Sequence, residues 1–174
     1  MSDSDRPIFR EVQYIRSVWW IMLLVYAIAA LMWWGFIEQI ILGQPWGSNP
    51  GPDWMIWLFW IFIGIGFPVI FNLIRLTVAV WPDRVVAQYR PIHTRVIPYT
   101  EIESITAHNY KPVRDYGGWG IKGWSGRRIA YNVKGKSGVE LMLTDDRSVM
   151  LGSQDANRLA FAIEEQWHHS RTGG

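Results

Sequence analysis

The stretch from Asp115 to Arg128 reads DYGGWGIKGWSGRR, and its Gly118, Gly120 and Gly123 satisfy the pattern G-x-G-x-x-G. Glycines at this spacing can bring a backbone against a pyrophosphate, provided a strand precedes them and a helix follows to offer its free N–H groups. Here the residues after Gly123 are WSGRRIAYNV, a polar turn and then a β-rich run. Glu140, at about the distance of a ribose-binding acid, falls inside a hairpin pattern rather than a parallel strand. The letters fit a nucleotide loop and the context does not, so no cofactor is expected. Glycine in a strand instead permits a bulge, or the close approach of a backbone or ring. Gly117, Gly118, Trp119, Gly120 and Trp124 are therefore read as a packing or assembly surface.

The other chemistry-bearing residues are sparse. The chain has no cysteine, which excludes disulfides, thiolate metal sites and a cysteine nucleophile. His93 and His108 lie fifteen positions apart, and His168-His169 end a helical pattern; no H-x-x-H or H-E-x-x-H spacing occurs, so no metal is expected. Glu101 and Glu103 would share one face of a strand, yet no nucleophile accompanies them. Glu38 ends an apolar run, where a carboxylate snorkels to an interface unless it faces a second helix. The strongest surface signal is basic: Lys111, Arg114, Lys122, Arg127, Arg128, Lys134 and Lys136 are candidates for contact with lipid phosphates or an acidic partner. Each charge near an anionic surface contributes about 1 kcal/mol. A solvated rim of hairpin loops is the plainer reading.

What must position these residues begins with two uncharged runs. Val18 to Ile37 reads VWWIMLLVYAIAALMWWGFI and Trp54 to Ile74 reads WMIWLFWIFIGIGFPVIFNLI. Each is about as long as a helix that crosses ~30 Å of hydrocarbon. Charged residues make up only 18% of the chain and there are 12 tryptophans, which points the same way. The mean hydropathy of +0.03 averages an apolar first half with a polar second half. Trp19, Trp20, Trp33, Trp34 and Trp54 sit where indoles favour the interfacial belts. Gly64, Gly66 and Pro68 predict a kink or a close helix contact in the second run. The linker 43–53 carries no Lys or Arg, whereas Arg6, Arg10 and Arg16 precede the first run and Arg75, Arg84, Arg90 and Arg95 follow the second. Positive flanks stay inside, so both termini are expected in the cytoplasm and the linker outside. The first run is too long for a cleaved signal peptide and has no small-x-small site.

After Arg75 the period changes. Leu76–Trp81, Arg84–Arg90, the stretch 94–110, the glycine-rich stretch, Arg128–Val133, Val139–Thr144 and Arg147–Gly152 predict seven short strands. Pro98 is tolerated only at an edge or bend. In the last segment Ala156, Leu159, Ile163 and Trp167 recur at helical spacing, with Ser153 or Asp155 as the cap.

In IPYTEIESI (97–105), YGGWGIKG (116–123), AYNVKGKSGVEL (130–141) and LGSQDANRLAFAI (151–163), taken in that order, the sequence resembles bacterial pleckstrin-homology-like (PH-like) proteins of unknown function with membrane-anchored members. The resemblance covers about Leu76 to Trp167. It implies the PH fold and no enzymatic activity, and some such domains resemble ring-forming oligomers. One departure is Asp145-Asp146, at a turn where glycine is usual. Headgroup-binding PH domains carry a basic first hairpin loop; here that loop is Pro82-Asp83-Arg84, so this mode of binding is not carried over.

The expected architecture is a membrane helical hairpin followed by a mainly-β PH-like domain, a seven-stranded, partly open barrel or sandwich capped by one C-terminal helix. The boundaries are a cytoplasmic tail (1–17), helices at about 18–42 and 54–75 within a hairpin 18–75, the domain (76–168) and a flexible tail (169–174). The function expected is non-enzymatic display of that domain at the bacterial inner membrane, for self-assembly or docking of a membrane-protein partner. Binding of anionic lipid headgroups by the basic loops is the alternative. The net charge of +2 gives no reason to expect nucleic-acid binding.

Overall fold

The computed structural model describes residues 6–110, 114, 120–123 and 126–172. Lys111, Gly117, Gly118, Trp119 and Trp124 lie outside them. The chain divides into two compact units: Tyr14–Ile74, and Met1–Gln13 together with Arg75–Gly174.

The first unit holds two apolar helices, Trp19–Ile41 and Asp53–Leu73, both long and apolar enough to cross a membrane. Only 28% and 11% of their most apolar windows are buried within the chain, so most of that surface is left for lipid or protein to cover. Each helix loosens from α to π winding, over Ile37–Ile41 and over Trp60–Gly66. Pro68 accounts for the second loosening, because it has no N–H to return to the Gly64 carbonyl in α-helical spacing. The indole N–H of Trp33 on the first helix donates to that carbonyl instead, at 3.3 Å. Beside this bond Phe36 stacks on Trp60 with ring centroids 4.2 Å apart, and Trp57 meets Phe36 edge-on at 4.8 Å. Asn72 donates to the Tyr26 hydroxyl at 3.0 Å and to the Pro68 carbonyl at 2.8 Å.

The second unit is two mostly antiparallel sheets and a helix. The first sheet has the order β1-β2-β3-β4, formed by Phe9–Tyr14, Arg75–Val80, Arg84–Arg90 and His93–Pro98. The second has the order β5-β8-β9-β7-β6, from Ile102–Asn109, Gly120–Lys122, Arg128–Asn132, Ser137–Leu143 and Ser148–Gly152 in chain order. The described residues thus form nine strands rather than seven, in two sheets that do not close into a barrel. The stretch 94–110 is two strands, broken where Pro98 leads into a single 3-10 turn at Tyr99–Glu101. Within the expected N-terminal tail, Phe9–Tyr14 is a strand of the first sheet. The last helix, Ala156–Thr172, continues past His168-His169 into the expected tail, with Thr172 Oγ1 donating back to the His168 carbonyl at 3.0 Å.

The pleat decides the core. Leu76, Val78 and Val80 of β2 point inward with Val85, Ala87 and Tyr89 of β3, all nearly or fully buried. Ile129, Tyr131, Val139, Leu141, Val149 and Leu151 line the facing layer of the second sheet. His93 lies flat on Tyr131, with centroids 6.1 Å apart, and so joins the layers. Leu159 and Ile163 of the C-terminal helix complete the core, and the Trp167 indole donates to the Ile102 carbonyl at 3.2 Å. β7 and β9 pair in parallel, because the chain leaving β7 passes over the end of β9 to reach β8. Glycine makes that crossing feasible. A Cβ on Gly138 would stand 2.6 Å from the Leu151 carbonyl oxygen, and one on Gly152 would stand 2.9 Å from Asn132 Cβ.

Candidate interaction surface

Gly120 and Gly123 bracket β6, the three-residue edge strand Gly120–Lys122, with φ of +105° and +71°. The Gly126 N–H closes a turn onto the Gly123 carbonyl at 2.8 Å, and β7 follows. A Cβ at Gly123 would lie 1.9 Å from the Arg128 carbonyl oxygen, so this glycine serves the backbone's own close approach. The Gly120 N–H is not free for a phosphate either: it donates to Asn132 Oδ1 at 2.9 Å. The close-approach account fits Gly123, whereas Gly120 has open space beside it and only its positive φ favours glycine.

The basic residues do not form one patch. Lys122, Arg127 and Arg128 stand around the β6–β7 turn, whereas Lys134 and Lys136 lie in the β7–β8 turn at the other end of β7. The five residues of β7 separate the two groups by about 15 Å. Arg114 is described but belongs to no strand. Neighbours in sequence are parted because a hairpin sends consecutive turns to opposite ends of a sheet.

The carboxylates and histidines are likewise dispersed. Glu101 ends the 3-10 turn and Glu103 is the second residue of β5, so the two do not share a strand face. His108 Nε2 lies 3.7 Å from Glu140 Oε2 across β5 and β8. His169 Nδ1 is 2.6 Å from the Glu165 carbonyl oxygen within the C-terminal helix. Among the described residues no group of three His, Cys, Asp or Glu is placed to hold a metal ion. Glu38 is half-buried in the π-helical end of the first apolar helix.

What sequence reasoning missed is the role of the N-terminal strand. Glu11 of β1 accepts a hydrogen bond from the Ser153 hydroxyl at 2.5 Å, from the Gln154 N–H at 2.8 Å and from the Gln13 amide at 2.9 Å. Gln13 also donates to the Gly152 carbonyl at 2.9 Å. Ser153 and Asp155 both act at the C-terminal helix start: the Asp155 N–H donates to Ser153 Oγ, and the Arg158 N–H donates to Asp155 Oδ1 at 3.1 Å, capping the first turn. Pairing alternation hid β1 in the sequence, since the inward positions of FREVQY include Glu11 and Gln13.

The outward face of the first sheet carries a shallow trough, with Thr77 and Ala79 buried at its floor. Thr77 and Ala79 of β2, Val86 and Gln88 of β3 and Trp81 beyond β2 line this trough of about 260 Å³ with Pro7 and Arg10. Val96 of the edge strand β4 stands opposite Val86 and is 48% exposed. At the Tyr89–Ile92 turn, the Ile92 N–H donates to the Tyr89 carbonyl at 2.8 Å, and the Ile92 side chain is 57% exposed. Neither sheet-face valines nor this turn carry any motif in the sequence.

Residues 3–166 match a family model described as a family of unknown function (DUF6141). No curated protein and no solved structure matches the chain.

Proposed function

The chain belongs to the DUF6141 family, of unknown function, and from that premise we propose a non-catalytic membrane protein. In this reading the two apolar helices cross the bacterial inner membrane as a hairpin. They display a PH-like β unit on the cytoplasmic side for self-assembly or for docking a membrane-protein partner. The observation that carries the reading is the adjacency of β1 and β2 in one sheet. The Ile8 N–H donates to the Val80 carbonyl and the Ile15 N–H to the Ile74 carbonyl, so the two strands run antiparallel on either side of the helical segment in sequence. The helical segment is thus inserted in sequence between two neighbouring strands of one sheet.

The same adjacency favours the expected topology, since both flanks of a two-span hairpin share one side and both are rich in arginine. The trough and the exposed edge at Val96 supply an apolar surface of the kind that copies or partners cover. Headgroup binding by the predicted basic loops has less geometric support, because Lys122, Arg127 and Arg128 stand apart from Lys134 and Lys136.

Light scattering on the full chain in nanodiscs or mild detergent tests self-assembly. A mass of two or more chains is expected, reduced by Val86→Asp or Val96→Asp while the far-UV spectrum is retained. A strict monomer that co-purifies with no membrane protein after gentle extraction overturns the proposal.

A further inference from the structure

Arg75 follows Leu73, the last residue of the second apolar helix, by two positions and opens β2. The register of the first sheet sets Arg75 directly opposite Arg90, the last residue of β3. Cross-strand partners in an antiparallel pair have Cα atoms about 4.5–5.5 Å apart. Beyond Arg90 the chain turns at once, and Ile92 stands at the tip of that turn with most of its side chain in the open. An open depression of about 360 Å³ lies at the same turn, lined by Gln88, Arg90, Ile92 and Thr94 among others. Among the described residues neither Arg75 nor Arg90 forms an ion pair. The opposite end of the sheet, at the β2–β3 turn, carries Asp83 paired with Arg84 at 3.0 Å.

We propose that the β3–β4 turn is a lipid-contact element: Arg75 and Arg90 bind the phosphates of anionic headgroups, and Ile92 inserts among the adjacent acyl chains. The inference rests on the membrane-spanning reading above and names a contact that the basic-loop reading did not contain. Two extended residues reach at most about 7 Å, so a helix ending at the headgroup level holds Arg75 at that level too. The pairing with Arg75 keeps Arg90 beside it, and the short turn keeps Ile92 within a few residues of both. Arginine suits the position because its planar fork binds a phosphate through two donors. The depression supplies room for a headgroup beside Arg90.

The chain's lack of cysteine allows a clean test with single-cysteine variants of the full-length protein. Ile92→Cys and, at the opposite end of the sheet, Asp83→Cys carry an environment-sensitive fluorophore in phosphatidylcholine vesicles with or without phosphatidylglycerol. The label at position 92 is expected to shift to the blue and to be quenched by nitroxide lipids in the anionic vesicles, while the label at 83 does neither. Arg75→Gln or Arg90→Gln should each lower the ratio of lipid-contacting to water-exposed label about fivefold, and the Lys variants should retain it. A label at 92 as water-exposed as that at 83, or equal contact in neutral and anionic vesicles, overturns the proposal. Ser48→Cys in the linker separates the two levels of failure. A membrane-impermeant maleimide that reaches positions 48 and 92 from the same side sinks the spanning reading and this contact with it. Opposite-side labelling with no lipid contact at 92 sinks the contact alone.

Discussion

The Glu11 carboxylate receives the Ser153 hydroxyl at 2.5 Å, across 142 positions of sequence. This bond and its neighbours fasten β1, which precedes the apolar helices, to the start of the C-terminal helix. Ser153 is fully buried, so removing its acceptor leaves a donor that water cannot reach. Glu11→Ala is expected to cost about 1–3 kcal/mol, and Glu11→Gln less, because one amide oxygen still accepts. A domain of roughly this size loses about 4–8 °C in Tm per kcal/mol. Differential scanning fluorimetry checks this, and a cycle with Ser153→Ala should show coupling of about 1 kcal/mol. Additive effects would mean that the bond carries no stability.

Gly120 and Gly123 separate two explanations of a glycine-rich sequence. Alanine at Gly123 meets the Arg128 carbonyl at 1.9 Å and must adopt φ +71°, so the turn has to open. Alanine at Gly120 has room, its nearest neighbour being Tyr89 Oη at 3.9 Å, and suffers only the strain of φ +105°. Gly120→Ala should therefore cost about 1–3 kcal/mol, and Gly123→Ala more. Neither Tm should respond to added nucleotide. A thermal shift with ATP or NAD that the Gly123→Ala variant loses would restore the phosphate-cradle reading.

How much of this was legible in the sequence depends on whether a feature is local. The two apolar helices were plain, because each is written as a run of about twenty uncharged residues. The C-terminal helix and its capping by Ser153 and Asp155 were plain too, being set within a few residues. β1 was hidden twice over: its partner β2 lies sixty residues on, and its inward residues Glu11 and Gln13 break the apolar alternation. The parallel pairing of β7 with β9 is non-local, and only Gly138 and Gly152 hint at it. Basic residues close in sequence were read as one patch, yet β7 sends the turns before and after it to opposite ends of the sheet. Conversely, Arg75 and Arg90 stand fifteen positions apart and meet only through register.

The Asp145-Asp146 turn shows why glycine would be usual there. Asp146 has φ +61°, in the left-handed region, and its N–H closes the turn onto the Leu143 carbonyl at 3.1 Å. Asp146→Gly relieves that strain and should stabilise the unit by up to about 1 kcal/mol. Asp145 is a different case: its hydrogen bonds and ion pair with Arg147 hold its carboxyl below the usual range. That contribution is present above the ordinary carboxylate pKa and fades as pH falls through the lowered one. Asp145→Asn should thus flatten the acid limb of the stability profile, by a small amount at so exposed a site. Loss of stability in Asp146→Gly would show that the aspartate holds the turn in some further way.

Pro68 and Trp33 form a testable pair within the apolar helices. Trp33→Phe removes the indole donor and leaves the Gly64 carbonyl without it, which should cost about 0.6 kcal/mol, the average for interhelical bonds in apolar surroundings. Pro68→Ala restores a backbone N–H at the position from which α-helical winding would satisfy Gly64. In that background Trp33→Phe should lose its cost, as read by unfolding in mixed detergent micelles. Equal cost in both backgrounds would mean that Trp33 acts through its stack with Phe36 and Trp60 alone.

Buried phenols set the alkaline limit of the β unit. Burial pushes Tyr89 up to about 12 and raises Tyr99 further, with the Asp83 carboxylate adding to the rise at Tyr99. The Tyr99 hydroxyl donates to the Trp81 carbonyl at 2.7 Å, a bond the phenolate cannot make. Because the folded state holds these protons more tightly than the unfolded chain, which releases them near pH 10, their contribution to stability is level below pH 10. It then falls as pH rises toward 12. Tyr89→Phe removes one of these titrations and should shift the unfolding midpoint to higher pH. Tyr99→Phe should do the same while costing about 1 kcal/mol at neutral pH for the lost bond to Trp81. An alkaline midpoint unmoved by both substitutions would assign that limit to other groups.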